Sequence, residues 1–399
     1  MTLQEAKIRK YREYLERAKA FERKGNIEEA LEYYRLSLSK LREVVKNETH
    51  RATKRRRMEI MKVIESKVNA LHKEIQTRRG NVSGGSSSRK RDYDSMIDEY
   101  DQREFDALID GCIDKSTITW DDISGLDETK QIIKESVVLA MAQKESGVKI
   151  EGWSNILLYG PPGTGKTLLA AATSNGLGAT FFNVKIADIL SRYVGDSPKI
   201  LATLFRRARE KAPSVIFIDE IENLVESRDE RRQSSTGLVQ SFLGELDGFS
   251  RKNDDKFVLF IAATNVPWEV DNAILNRFEK RILIPLPDEK ARMGILRIHI
   301  DKKGFTFKGD LGKVVDATKG YSGRDIRNLC KDVTIRMIRE MNPSLPELAQ
   351  DISTAKEYRI KTRPITEDDF NKALMHFRPT TSKEMVLKIE EWGRKFGSE

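Results

Sequence analysis

The chain has 399 residues, 39% hydrophobic and 33% charged, which is enough apolar material for two or three cores and predicts a soluble protein. No apolar run approaches the roughly 20 residues a membrane span needs, the opening Met1-Thr2-Leu3-Gln4-Glu5-Ala6-Lys7 lacks the apolar stretch of a secretory signal, and two isolated cysteines, Cys112 and Cys330, suit a reducing cytoplasm and offer no metal site. The net charge of +9 is concentrated, since residues 1–80 hold 22 Lys and Arg against 12 Asp and Glu, a surplus that favours an acidic partner or simply coats a helical surface.

In chain order, residues 3–79 predict three helices. Apolar positions recur at helical spacing at Ile8, Tyr11, Leu15 and Ala18, then at Ile27, Ala30, Leu31, Tyr34, Leu38 and Leu41, then at Met61, Ile64, Val68, Leu71 and Ile75. Each helix has a single apolar stripe, so three must pack together to bury them, giving a bundle over 1–79. The Gly/Ser-rich run at 81–91 predicts a flexible linker, and with a weakly helical stretch it fills 80–113. Over 114–286 short apolar strands at 156–159, 180–184, 215–218, 258–262 and 281–284 alternate with helical patterns, the signature of an α/β domain with a parallel sheet between helices. Past Pro285-Leu286-Pro287 the β signals stop, and helices at 290–300, 311–317, 323–339 and 367–376 predict a small helical domain over 287–378. A last helix, with Ile389, Trp392 and Phe396 on one face, occupies 379–399.

The chemistry is concentrated at Gly160-Pro161-Pro162-Gly163-Thr164-Gly165-Lys166-Thr167, which fits the phosphate-cradling pattern G-x-x-x-x-G-K-[ST] at every fixed position, with a strand before it and a helix from Leu168 after it. Such a turn aims backbone N–H groups and a helix N-terminus at phosphate oxygens; Lys166 would bridge the β- and γ-phosphates of ATP and Thr167 would hold Mg²⁺. The strand Val215-Ile216-Phe217-Ile218 ends in Asp219-Glu220. In a parallel sheet that end faces the nucleotide, so Asp219 is expected on Mg²⁺ and Glu220 on the attacking water. Thr264-Asn265 ends another buried strand, where Asn265 either contacts water and γ-phosphate or is a turn residue.

This ordered set, with Asp271-Asn272-Ala273-Ile274-Leu275-Asn276-Arg277-Phe278 downstream, resembles the AAA ATPases over residues 117–399. Asn265-Val266-Pro267-Trp268 and Arg281-Ile282-Leu283-Ile284-Pro285 narrow the resemblance to the meiotic clade of katanin, spastin, fidgetin and the vacuolar-protein-sorting ATPases that disassemble ESCRT-III polymers. The resemblance implies a helical lid, a ring hexamer, and Arg277 acting in trans as an arginine finger, with Asn276 where relatives carry a second arginine. It implies adenine contacts from the segment with Ile123 and Gly125, and a lid turn at Gly323 close to the nucleotide. Arg192-Tyr193-Val194-Gly195 resembles the family's pore loop, making Tyr193 and Val194 the substrate grip, and Arg228 to Arg232 could form a second, basic loop.

Gly25-Asn26-Ile27-Glu28-Glu29-Ala30-Leu31-Glu32-Tyr33-Tyr34 resembles a microtubule-interacting-and-trafficking (MIT) domain, which in relatives binds tail motifs of ESCRT-III proteins. About two dozen residues separate Arg339 from Ile365, too few for the small β domain of the eukaryotic vacuolar-sorting enzymes, which points to the archaeal cell-division type called CdvC. The expectation is a hexameric ATPase recruited to membrane necks or a division site by ESCRT-III-like filament proteins, meeting membrane only through that partner. The alternatives are a nucleic-acid-directed ATPase, suggested by Arg55-Arg56-Arg57 but lacking a recognition helix or base-stacking platform, and a microtubule-severing enzyme.

Overall fold

The computed structural model describes residues 3–48, 51–79, 102–103, 105–141, 152–187, 197–224, 232–251, 257–345 and 358–398. Tyr193 and Val194, the segment 228–231 and the linker at 81–91 lie outside the described residues. The chain divides into two compact units, one of residues 1–112 with 187–207 and 231–242, the other of 113–186, 208–230 and 243–399.

In the first unit, α1 (Leu3–Arg23), α2 (Ile27–Lys46) and α3 (Arg51–Arg79) share one core. Tyr34, Leu41 and Ile64 are fully buried there, as the spacing of α2 and α3 requires. On α3 the stripe lies earlier than predicted: Ile60 and Val63 are buried, whereas Met61 and Ile75 only pack partly against the core. A polar network ties all three helices, because Lys67 of α3 pairs with Glu22 of α1 at 3.0 Å, and the Tyr34 hydroxyl of α2 donates to the same carboxylate at 3.0 Å. Both Lys67 and Glu22 are more than 90% buried, at 2% and 7% exposure, so removing one partner would leave the other's charge buried and uncompensated.

In the second unit a six-stranded sheet runs β1 (Ile113–Asp114), β3 (Thr180–Lys185), β4 (Ser214–Asp219), β5 (Val258–Thr264), β2 (Asn155–Tyr159) and β6 (Lys280–Leu283). The parallel sheet expected from the sequence is present, and β1 adds an antiparallel edge strand on β3 whose two residues are too short to show a period. The other pairs are parallel, and β2 and β5 are buried along their whole length, which explains their continuous apolar runs. Helices α4 (Asp127–Met141) and α5 (Lys166–Gly176) supply Ile133, Val137 and Leu169 to the core on one face of the sheet. Parallel pairing brings the C-terminal ends of β2, β4 and β5 to the same edge, with Tyr159 opposite Thr264 and Ile218 opposite Ala262.

The lid contains α9 (Glu289–Ile300), α10 (Leu311–Ala317), α11 (Gly323–Met341) and α12 (Glu367–Leu374) around Leu296, Ile326, Leu329 and Phe370. It is not purely helical, since β7 (Phe307–Lys308) pairs in parallel with β8 (Ile365–Thr366) across two residues each. Preceding these in the chain are α6 (Ser197–Glu210), α7 (Arg232–Arg251) and the short α8 (Asn272–Leu275). The last helix, α13 (Lys383–Phe396), starts where the Ser382 side chain caps it by accepting from Met385 N. It sets Trp392 edge-on to Tyr159, ring centres 4.8 Å apart, and Lys388 3.8 Å from the Trp268 ring centre. The following Ser398 donates its N–H to the Arg281 carbonyl of β6 at 3.0 Å.

Candidate nucleotide site

The edge where β2, β4 and β5 end opens into a cavity of about 1420 Å³. Lining it are Pro162 to Leu168 of the phosphate loop, Asp219 and Glu220 from the end of β4, and Asn265 from the end of β5. Ile123 lines it from the segment before α4, and Gly323 and Arg324 from the lid. Gly160 and Pro161 stand behind the loop, and their carbonyls accept from the Lys166 ammonium, each at 2.9 Å.

The loop is held against the lid. Gly163 has φ +78, and a Cβ there would lie 2.8 Å from the Arg324 Cβ and the Ser322 Oγ, so only glycine fits both the backbone and the space. Arg324 donates its backbone N–H to the Gly163 carbonyl at 3.0 Å, and a Cβ on Gly323 would come within 3.3 Å of that same oxygen. Gly125 also has positive φ, +73, and meets Ala291 of α9 closely enough that a Cβ would sit 2.6 Å from the alanine's. It supports the segment carrying Ile123 without itself lining the cavity.

The electrostatics suit an anion. Lys166 is 6% exposed, and burial lowers its pKa to about 8, with Asp219 and Glu222 partly opposing the shift. Its hydrogen-bond acceptors are neutral carbonyls, so phosphate oxygens would give this cation the charged partner the loop lacks. Asp219 uses both oxygens: Oδ2 accepts from Thr167 Oγ1 at 3.3 Å, and Oδ1 accepts from the Glu220 N–H at 3.0 Å. A hydroxyl and a carboxylate oxygen side by side form a hard-donor pair that fits Mg²⁺ keeping most of its waters. Asn265 Oδ1 is buried with no hydrogen-bond partner, as is Glu222 Oε2, and burial raises the Glu222 carboxyl above its usual range.

Several contributors had no local sequence signal. His299 and Arg327 line the lid side, and burial, with Lys303 and Arg327 adding to it, lowers the His299 imidazole to about 4, leaving a neutral ring. Asn223 donates to Glu220 Oε2 at 3.2 Å. Arg277 does not line the cavity; it pairs with Asp247 of α7, Nε to Oδ1 at 2.5 Å, with 36% of its side chain exposed.

Residues 156–286 match the family model described as ATPase family associated with various cellular activities (AAA), residues 309–351 match the AAA+ lid domain, and residues 349–397 match the Vps4 C terminal oligomerisation domain. The vacuolar protein sorting-associated protein 4 of Dictyostelium discoideum is 35% identical over 353 residues, covering 80% of this chain and 79% of that protein. The chain belongs to the AAA family of ATPases. ATP hydrolysis is the chemistry that membership assigns to it. This AAA ATPase is also 38% identical to the spastin of Naegleria gruberi over 75% of its length, and 36% identical to a katanin p60-like ATPase of Mus musculus over 80%. It spans 56% and 66% of those two proteins. Among solved structures, the AAA domain of FIGL-1 in complex with ADP matches with a TM-score of 0.63 at 33% identity, over 74% of this chain and 98% of that one. Among the described residues no helix is long and apolar enough to cross a membrane.

Proposed function

We propose that this AAA ATPase works as a homo-hexameric ring that recruits ESCRT-III-like filament proteins through residues 1–79 and draws them through a central pore, remodelling polymer at membrane necks or a division site. In this reading the bundle is MIT-like and the chain is of the archaeal cell-division type. The observation that carries it is the extent of the match: 79% of the vacuolar sorting protein is covered, against 56% of the spastin and 66% of the katanin-like protein, and the C-terminal match is to an oligomerisation domain.

At the nucleotide, the loop N–H groups and Lys166 bind the β- and γ-phosphates, and Ile123 and Gly323 bracket the base side. Thr167 and Asp219 would hold Mg²⁺, which when bound neutralises charge on the phosphates. Glu220 orients and polarises the attacking water, with Asn265 Oδ1 a second acceptor for it. Arg277, released from Asp247 when a neighbouring copy docks, reaches that copy's γ-phosphate. Tyr193 and Val194 grip the polypeptide.

The test is turnover by the full chain with and without a purified ESCRT-III-like filament protein. Stimulation that disappears on deleting residues 1–79 supports the proposal. Stimulation by tubulin or by nucleic acid in its place would overturn the assignment of substrate.

A further inference from the structure

We propose that Asn223 is a positioning residue that holds the Glu220 carboxylate ready for the attacking water. The inference rests on the reading of Glu220 given above and starts from its backbone. Glu220 has φ +54, and among the described residues only Leu126 shares a positive φ without being glycine. A long side chain in the left-handed region is disfavoured unless its surroundings over-determine it, and such strain concentrates at functional positions.

Here the restraints can be named. The Glu220 N–H is taken by Asp219 Oδ1 at 3.0 Å. The Glu220 carbonyl accepts from the Asn223 N–H at 3.0 Å, and Glu220 Oε2 accepts from the Asn223 side-chain amide at 3.2 Å. One residue therefore grips both the main chain and the carboxylate of Glu220. Asn223 is itself fixed, because it lies in the single turn Ile221–Leu224, whose end residues Ile221 and Leu224 are fully buried.

Glu220 is exposed, so without that amide its side chain would spread over several rotamers. The amide engages Oε2 and leaves Oε1 to accept from water. Its effect belongs on turnover, not on nucleotide binding, because Asn223 does not line the cavity.

Steady-state ATP hydrolysis by the full chain, with assembly checked by size-exclusion chromatography, tests this against Asn223→Ala, Asn223→Asp, Asn223→Ser and Glu220→Gln. N223A is expected to lower kcat about tenfold while KM for ATP stays within about twofold, a part of the roughly 10²-fold that a misplaced reacting geometry can cost. N223D, nearly isosteric but without the donor, should fall further because its carboxylate repels Glu220. N223S, which keeps a short donor, should recover part of the loss. An N223A kcat within about twofold of the parent, or a raised KM at unchanged kcat, would overturn the inference. If Glu220→Gln is inactive while N223A is unaffected, only the role of Asn223 fails; if Glu220→Gln keeps its turnover, the reading of Glu220 fails and this inference with it.

Discussion

Two buried lysines in this chain are satisfied in opposite ways. In the bundle, Lys67 meets Glu22 at 3.0 Å, and the Tyr34 hydroxyl shares that carboxylate, so charge is neutralised inside the fold. In the phosphate loop, Lys166 is nearly as buried but hydrogen-bonds only the carbonyls of Gly160 and Pro161, and Asn265 Oδ1 and Glu222 Oε2 nearby lack hydrogen-bond partners. Burying a cation without a neutralising partner costs several kcal/mol. An ion pair inside the bundle neutralises its lysine and stabilises one packing of helices; a lysine held only by neutral carbonyls keeps affinity for an incoming anion.

The largest effect should come from Lys166→Met. It strands no carboxylate paired to the ammonium, so the nucleotide-free protein should melt no lower than the parent. ATP affinity should fall by about 10²–10⁴-fold, the size expected when a buried charge contact of about 3–5 kcal/mol is lost. Calorimetric titration with ATP checks the affinity, and a lowered melting temperature without ligand would erase the contrast with Lys67.

Lys67→Met should do the reverse. It leaves Glu22 buried without its cation and should destabilise the bundle by about 3–5 kcal/mol, most of which Glu22→Gln in the same chain should restore. The four tryptophans, Trp120, Trp153, Trp268 and Trp392, all lie outside the bundle. Tryptophan fluorescence should therefore report an unchanged transition while far-ultraviolet circular dichroism reports the loss of helix. A coincident shift in both probes would mean the two regions unfold together.

The smallest effect is one of pH. Burial lowers Lys166 to about 8, from an ordinary value of 10.5, so between those values the unfolded chain binds more protons and nucleotide-free stability rises with pH. In the proposed phosphate contact ATP needs the protonated form. Affinity should accordingly fall about tenfold one unit above the folded pKa, and K166M should remove that slope. A flat profile in the parent protein would separate Lys166 from phosphate binding.

The part of this site readable from sequence is the part that is contiguous. A buried strand, a glycine turn and a helix stand next to one another at 156–172, and the β4 strand runs directly into Asp219-Glu220. Parallel pairing then juxtaposes these ends with Asn265, an expectation that follows from strand order alone. Three kinds of feature were not readable. Two-residue strands such as β1, β7 and β8 have no period, so the sheet's antiparallel edge and the lid's β pair are visible only in three dimensions. Contacts between distant segments leave no local mark: Arg277 with Asp247, Tyr159 with Trp392, and His299 facing the cavity. The grip of Asn223 on Glu220 is local, yet it depends on a left-handed backbone at a glutamate that propensity argues against.

In the proposed function each active site is shared between copies, with Glu220 on one and Arg277 on the next. Glu220→Gln and Arg277→Ala should each be close to inactive alone, with turnover lowered by about 10²-fold or more. Mixing the two purified variants separates the possibilities, because an R277A copy still offers Glu220 and an E220Q copy still offers Arg277 to its neighbour. Turnover is expected to reappear on mixing, at a fraction of the parent rate that varies with the mixing ratio. If both residues served the same copy's nucleotide, every mixture would stay as inactive as its components, and the shared site would be ruled out.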